Sequence, residues 1–336
     1  MNLEMIKAES MVNFTRYQPG QKAGHYESFF QRANHPTRPL AFWIRYTIFS
    51  PDGHPENAIA EIWTIFFNGE TSEHVACKSE WPIEKSSFDR TAFQVKIGSS
   101  ILNNTSLTGK NEQGTNSIEW ELKYSTKEPP LFLLPLSLYD AAFPKAKALV
   151  AAPLAIFDGH LKVNSESFVI DNWLGSQNHN WGSRHTDKYA WGQVSGFDNA
   201  EQSFFEIATA QVKLGPVTTP AMTIMVVRHE GKEYAFNSLT RAFFNKGDYD
   251  FFEWSFKAEN DQATIEGLIA ADADDFVGLN YYNPPGGSKT CLNSKIAKCD
   301  LTLSFKNGGQ IILKTSNRAA FEILTERSDH GIKVQC

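Results

Sequence analysis

What most constrains this chain is a succession of short runs, rich in aromatic and β-branched residues and separated by links containing Pro, Gly and Asn. His25–Ala33 (HYESFFQRA), Leu40–Phe49 (LAFWIRYTIF) and Ala58–Phe67 (AIAEIWTIFF), joined by NHPTRP and SPDGHPEN, read as a β-meander. Further strands are expected around His74–Cys77, Ala92–Ile97, Ser100–Leu107, Ser117–Tyr124, Leu149–Phe157 and Leu161–Val163. The second half repeats the pattern from Gln202–Leu214 to Gln310–Ser316. The fold class is therefore all-β with little helix. Pro129–Lys147, with four prolines, suits a covering loop or short helix, and residues 1–24 suit an arm that packs on the domain or moves freely. Arg318–Glu326 (RAAFEILTE) has the clearest amphipathic helix pattern, with a last strand as the alternative.

The densest chemistry lies between Asp171 and Asp198, DNWLGSQNHNWGSRHTDKYAWGQVSGFD. Gly175, Ser176, Asn178, Asn180, Gly182 and Ser183 read as turn or loop, and Tyr189 to Gly196 as a strand. Apolar walls favour the neutral form of a carboxylic acid, so Asp171 or Asp198 among Trp173, Trp191 and Phe197 is a candidate proton donor. Indole faces stabilise a developing carbocation. In this reading Asp171 or His185 supplies the proton, and His179 and Asn180 orient it. Trp181 and Trp191 form the wall, with Trp173 and Gln193 beside them, and Arg184 either balances a substrate carboxylate or faces water, the commoner fate of a loop arginine. The competing reading makes these tryptophans large core residues with satisfied polar tips. His179, His185 and Asp187 match no metal-ligand spacing, so no metal is expected.

Several strands also place a charge among bulky apolar neighbours: Glu27, Arg45, Glu61 and Glu206. By alternation Arg45 shares a face with Trp43 and Thr47, and Glu61 with Trp63, Ile65 and Phe67, as in a barrel lined by mixed aromatic and ionic groups. Arg45 and Glu61 are therefore candidate substrate-binding residues and a candidate interior ion pair. A solvent-facing position is the commoner fate of any one such charge.

Composition removes several classes. The 32 basic and 38 acidic residues give a net charge of −6 and are scattered, which argues against nucleic acid. The amino-terminal MNLEMIKAESMVNF has no apolar signal region, and the longest apolar run, Ala148–Phe157, is interrupted by Pro153. The expectation is a soluble, cytoplasmic protein without an integral membrane span, peripheral membrane contact staying open. Four cysteines in 336 residues read as free thiols. GxSxG, GxxxxGK[ST] and GxGxxG are all absent, so no cofactor is expected.

HYESFFQRA with PLAFWIRYTIF, the mid-chain NHNWGSRHTDKYAWGQVSGFD and the late YYNPPGGSKTCLNSKIAKCDLTL together resemble the two-domain lipocalin-like family of carotenoid 1,2-hydratase (hydroxyneurosporene synthase), tocopherol cyclase and decalin-forming Diels–Alderases, over residues 25 to about 305. The resemblance implies two calycin-like β-domains, 25–165 and 166–336, meeting around a long apolar isoprenoid or polyketide substrate. It implies an isomerase, cyclase or hydratase acting on a carbon–carbon double bond by acid catalysis without a redox cofactor. The alternative is a carrier for a lipid or other hydrophobic ligand.

Overall fold

In the computed structural model, which describes residues 3–214 and 217–336, the β-patterned runs are strands. The chain divides into two units: Met1–His185, Tyr281–Ser288 and Gln335–Cys336 form the first, Thr186–Asn280 and Lys289–Val334 the second. The joint expected near residue 165 falls in a hairpin turn that lies wholly within the first unit. No helix among the described residues is long and apolar enough to cross a membrane.

In the first unit, helix α1 (Leu3–Ser10) precedes β1 (His25–Asn34), β2 (Leu40–Ser50), β3 (Ile59–Asn68), β4 (Val75–Pro82), β5 (Ser86–Phe88), β6 (Gln94–Ile97), β7 (Ser100–Asn103), β8 (Ser106–Gln113), β9 (Asn116–Ser125), β10 (Ala146–Val163) and β11 (Glu166–Gly182). They form one sheet in the order β4-β3-β2-β1-β11-β10-β9-β8-β7-β6-β5. The sheet curls until the edge strand β4 meets β8. There Asn111 Nδ2 donates to the carbonyls of Cys77 (2.8 Å) and Ile62 (3.1 Å), and Gln113 Oε1 accepts from the Lys78 amide (2.7 Å). Side chains closing an open edge remove the unpaired backbone that invites aggregation. The inside of this near-barrel is filled by Phe29, Phe42, Tyr46, Trp120, Phe157 and Trp173. Its polar tips are satisfied: the Tyr46 hydroxyl accepts from Trp120 Nε1 (3.2 Å) and donates to the Ile101 carbonyl (3.1 Å).

β1 is buried at all ten of its residues, so both of its faces are interior. Register puts Glu27, Phe29 and Gln31 on the face with Tyr46, His179 and Gln177, and Tyr26, Ser28 and Phe30 on the face with Arg45, Thr47 and Asn180. On the inner face the Glu27 carboxylate accepts the backbone N–H of Arg16 (2.7 Å) and Tyr17 (2.8 Å), together with His25 Nε2 (3.0 Å) and His179 Nε2 (2.8 Å). His179 Nδ1 donates to the Val12 carbonyl (2.6 Å). The arm therefore packs on the unit, bound by one buried carboxylate.

Two readings change. Residues 171–182, half expected as loop, belong to strand β11. Its small and polar residues serve contact: a Cβ on Gly175 would lie 1.9 Å from the Arg32 carbonyl oxygen, so only glycine permits that approach of β1 to β11. Arg318–Glu326, expected as a helix, lies mostly in a strand buried from Arg318 to Thr325, and a run buried on both faces carries no period that separates helix from strand.

The second unit contains β12 (Lys188–Phe197), β13 (Ala200–Gln211), β14 (Lys213–Leu214), β15 (Val217–Thr218), β16 (Met222–His229), β17 (Lys232–Phe236), helix α2 (Leu239–Ala242), β18 (Lys246–Asp250), β19 (Glu253–Glu259), β20 (Ala263–Ala270), β21 (Val277–Tyr282), β22 (Ser288–Phe305) and β23 (Gln310–Thr325). β21 leaves the second unit at its last two residues, and β22 enters it after its first. The sheet order is β17-β16-β13-β12-β23-β22-β20-β19-β18, with β21 against β22. Phe205, Met225, Trp254, Phe256 and Phe321 are central to its core.

Burial alone would raise the Glu27 carboxyl, but the hydrogen bonds and charge of His179 and His25 outweigh it and hold it at about 2, against an ordinary 4.5. A depressed carboxylate contributes stability that is fully present above its unfolded value and is lost as pH falls through its folded one. Glu27 is therefore expected to contribute on the order of 3 kcal/mol, lost between pH about 4.5 and about 2. Denaturant melts across that window should show Glu27→Gln with a flatter acid limb and with protease cleavage of the arm. Gly175→Ala is expected to cost at least about 2 kcal/mol by forcing β1 from β11, measured by the shift in denaturation midpoint.

Candidate active site

The opposite face of β1, β2 and β3 lines a small pocket. Tyr26, Arg45, Thr47, Phe49, Glu61 and Trp63 project from it, and His185, Tyr281 and Tyr282 complete the wall of a pocket. All nine residues belong to the first unit. The last three are fixed by the turn after Tyr282. Asn283 Oδ1 accepts the His185 amide (3.1 Å), the Pro284 carbonyl accepts the Asp52 amide (2.9 Å), and the Gly287 carbonyl accepts the Asn283 amide (3.0 Å). The free space at the centre, about 10 Å³, is that of about one water molecule.

Within the pocket the Arg45 guanidinium donates from Nε (2.8 Å) and a terminal nitrogen (2.6 Å) to Ser28 Oγ and lies 4.6 Å from the Tyr281 ring centre. The His185 ring stacks on Tyr26 at 3.9 Å and faces Tyr281 at 5.9 Å. Glu61 accepts from Trp63 Nε1 (3.1 Å) at one oxygen. Its other oxygen, Oε1, is buried and pairs with Lys78 Nζ at 3.0 Å. Lys78 also pairs with Glu80 (2.5 Å) and sits over the rings of Trp63 (4.4 Å) and Tyr282 (4.1 Å). Burial works against the Lys78 charge, but Glu61 and Glu80 outweigh it and raise its pKa. Burial pushes the Tyr26 phenol up, with the Arg45 charge pulling the other way.

Of the residues singled out from sequence, the structure brings Arg45, Glu61 and His185 into this pocket. The expected Arg45–Glu61 pair is replaced by Arg45 with Ser28 and Glu61 with Lys78, although register sets Arg45 and Lys78 on either side of Trp63 and equally diagonal to Glu61. Asn180 is directly opposite Ser28 on the same face, its Oδ1 buried without a hydrogen bond. His179 projects from the other face, bound to Glu27. Asp171 is exposed and accepts from Asn172 Nδ2 (2.8 Å), and Asp198 is exposed and accepts from Thr315 Oγ1 (3.0 Å) and the Ser316 amide (2.8 Å), so neither has the apolar enclosure expected of a proton donor. Arg184 is half-buried after β11.

Trp173 is core, stacked on Phe42. The Trp181 ring is covered by Arg16 at 5.1 Å. Trp191 and the fully buried Gln193 belong to the second unit, where Trp191 donates to Glu206 Oε1 (3.0 Å) and has Lys295 5.6 Å above its ring. Sequence reading missed Tyr26, Lys78 and the pair Tyr281–Tyr282. The last had a signal, two aromatic rings immediately before the tight NPPGG turn. Among the described residues no three His, Cys, Asp or Glu side chains form a metal-ligating group.

Comparison with known proteins places this geometry. Residues 133–324, more than half the chain, match the tocopherol cyclase-like family. Uncharacterized protein Rv0493c of Mycobacterium tuberculosis strain H37Rv is 26% identical over 200 residues, as is uncharacterized protein MT0513 of strain CDC 1551. Each alignment covers 59% of this chain and 58% of the relative, so this chain spans less than two thirds of the relatives' length. Two crystal structures share the fold. Kievitone hydratase from Nectria haematococca has a TM-score of 0.55 at 11% identity, covering 92% of this chain and 91% of its own. A putative AttH from Nitrosomonas europaea has a TM-score of 0.54 at 9% identity, covering 93% and 99%. The chain belongs to the tocopherol cyclase-like family, with the two-domain lipocalin-like architecture that its sequence resembles.

Proposed function

We propose that this protein is a cyclase- or hydratase-type enzyme that adds an O–H bond across a carbon–carbon double bond of an apolar isoprenoid or polyketide substrate, with the one-water space of the first unit's pocket taking the water or hydroxyl that adds and the substrate's apolar body lying outside that space. Family membership supports the reaction class, and a hydratase stands among the fold neighbours. The observation that carries the site is Glu61: a buried carboxylate, paired with Lys78 at 3.0 Å, that lines with His185 a space of about one water.

Such an addition needs one group to give a proton to carbon and another to take a proton from oxygen. Glu61 Oε1 is placed to accept from a water or hydroxyl in the pocket, and His185 to supply the proton to carbon. Proton exchange from Glu61 to His185 through that space then restores both. No electrons are gained or lost overall, so the chemistry calls for no redox cofactor. The ring faces of Tyr281, Trp63 and Tyr282 already carry Arg45 or Lys78. That arrangement disfavours a free carbocation against those rings. It favours a transition state whose negative charge grows on an oxygen near Arg45 and the Tyr26 phenol.

The test uses a prenylated phenol as probe in deuterated water. Wild type is expected to form cyclised or hydrated product with solvent deuterium on carbon. Glu61→Gln and His185→Ala should each lower turnover about 10²–10⁴-fold with probe affinity nearly unchanged; Glu61→Gln also lowers the melting temperature, because Lys78 loses a buried partner, while Asp171→Asn behaves as wild type. Turnover undiminished in both pocket variants would remove the pocket from the reaction. Tight binding of the probe by wild type without any turnover would make the protein a carrier.

A further inference from the structure

The β18–β19 hairpin of the second unit turns two polar tips toward the core and gives neither a partner. Tyr249 stands directly opposite Trp254 in the register, their rings 6.3 Å apart at 70°. Trp254 is fully buried, and a Cβ on Gly192 of β12 would lie 3.1 Å from its Cζ3, so the indole reaches across the core with Nε1 on its other side. Trp254 Nε1 and Tyr249 Oη are both buried, and neither has a hydrogen-bond partner among the described residues. A buried tryptophan or tyrosine ordinarily finds one, because an unmet donor gives up its water for nothing.

The surroundings are aromatic. Trp254 stacks on Phe321 (6.0 Å), Phe321 meets Phe276 edge-on (5.5 Å), and Phe276 meets Phe252 (5.3 Å), which adjoins Phe251 (6.1 Å). Phe251 and Phe252 form the two-residue turn of the hairpin, and Phe252 has a φ of +76°, a position that glycine normally takes. Strain of this kind in a bulky residue clusters at ligand sites. Tyr249, Phe251 and Phe252 are partly exposed, so the aromatic arc opens at the turn.

The missing partner has a defined chemistry. An indole N–H only donates, and burial pushes the Tyr249 phenol up to about 12, which keeps its proton on. Both tips therefore call for an acceptor oxygen. That oxygen is uncharged: the Arg327 guanidinium over Phe251 (4.2 Å) is already held by Asp250 (2.8 Å) and Asp329 (2.7 Å), and no ring of the arc bears a charge. A carboxylate would have no cation of the arc to pair with. A carbonyl carries two lone pairs, and the rings suit an apolar body.

We propose that the inner face of this hairpin binds a neutral, apolar carbonyl compound, its oxygen accepting from Trp254 Nε1 and Tyr249 Oη. The residues all belong to the second unit, and the site does not depend on the reaction proposed for the first. Benzophenone tests it on the full chain, with diphenylmethane as nearly the same shape without the oxygen. In equilibrium dialysis wild type is expected to bind benzophenone about tenfold or more tightly than diphenylmethane, and irradiation should cross-link it to the peptide carrying Tyr249 to Trp254. Trp254→Phe and Tyr249→Phe should each reduce that preference about threefold or more. Tyr249→Phe, which keeps its ring and loses no bond made within the protein, should melt no lower than wild type. Equal affinity for the two probes, binding of neither, or cross-links confined to the first unit overturns the proposal. So does a lowered melting temperature for Tyr249→Phe with the preference unchanged, since the hydroxyl would then be bonded within the protein.

Discussion

A strand with no solvent face has nowhere to put a charge except against another polar group, and β1 is such a strand. Water supplies nothing along its length, so each ionic side chain on it and on its neighbours must find its counterpart within the protein. On the inner side Glu27 does so by gathering two imidazoles and two backbone amides, and the arm is drawn in because its amides are among those donors. On the outer side Arg45, Glu61 and Lys78 are distributed among Ser28, Glu80 and aromatic rings. The two faces therefore differ in kind. The inner carboxylate is met by amides and imidazoles, and the outer one lies between the Trp63 indole and the Lys78 ammonium at the wall of a pocket.

The same face shows how a site can be electrostatically committed before any ligand arrives. Cations seated on aromatic rings use the negative faces of those rings, so the rings serve less as cradles for positive charge in a substrate and more as supports for the protein's own cations. Trp181 and Trp191 repeat the arrangement elsewhere, under Arg16 and Lys295. Large rings near charges in a sequence thus have two opposite meanings, decided by whether the ring face is covered.

That distinction marks the limit of what the sequence disclosed. The all-β class was legible because runs such as LAFWIRYTIF between Pro/Gly links leave few other folds. Arg45 and Glu61 were legible as interior charges because alternation places them beside Trp43 and Trp63, and both are buried. Their partners were not, since Arg45 and Lys78 flank Trp63 at equal diagonals to Glu61 and the choice rests on side-chain packing. Asp171 drew notice because it is two residues from Trp173, yet the strand is irregular between them, where Asn172 has a φ of +53° and the register with β10 shifts, so the tryptophan is core and the aspartate is exposed. β11 resembled a loop because its glycines and amides, which meet buried backbone and polar neighbours, are also the residues that turns favour.

The pocket wall is also discontinuous along the chain. Tyr281, Tyr282 and Asn283 are translated almost a hundred residues after His185, beyond most of the second unit's strands, yet they belong to the first. The first unit therefore cannot be finished by the ribosome before the second is largely made, and neither unit can be excised, swapped or duplicated as a contiguous gene segment without opening this pocket. Such interlacing ties the inheritance of the two halves together: a lineage can vary strands of either unit, but recombination at the apparent midpoint would separate His185 from the residues that hold it.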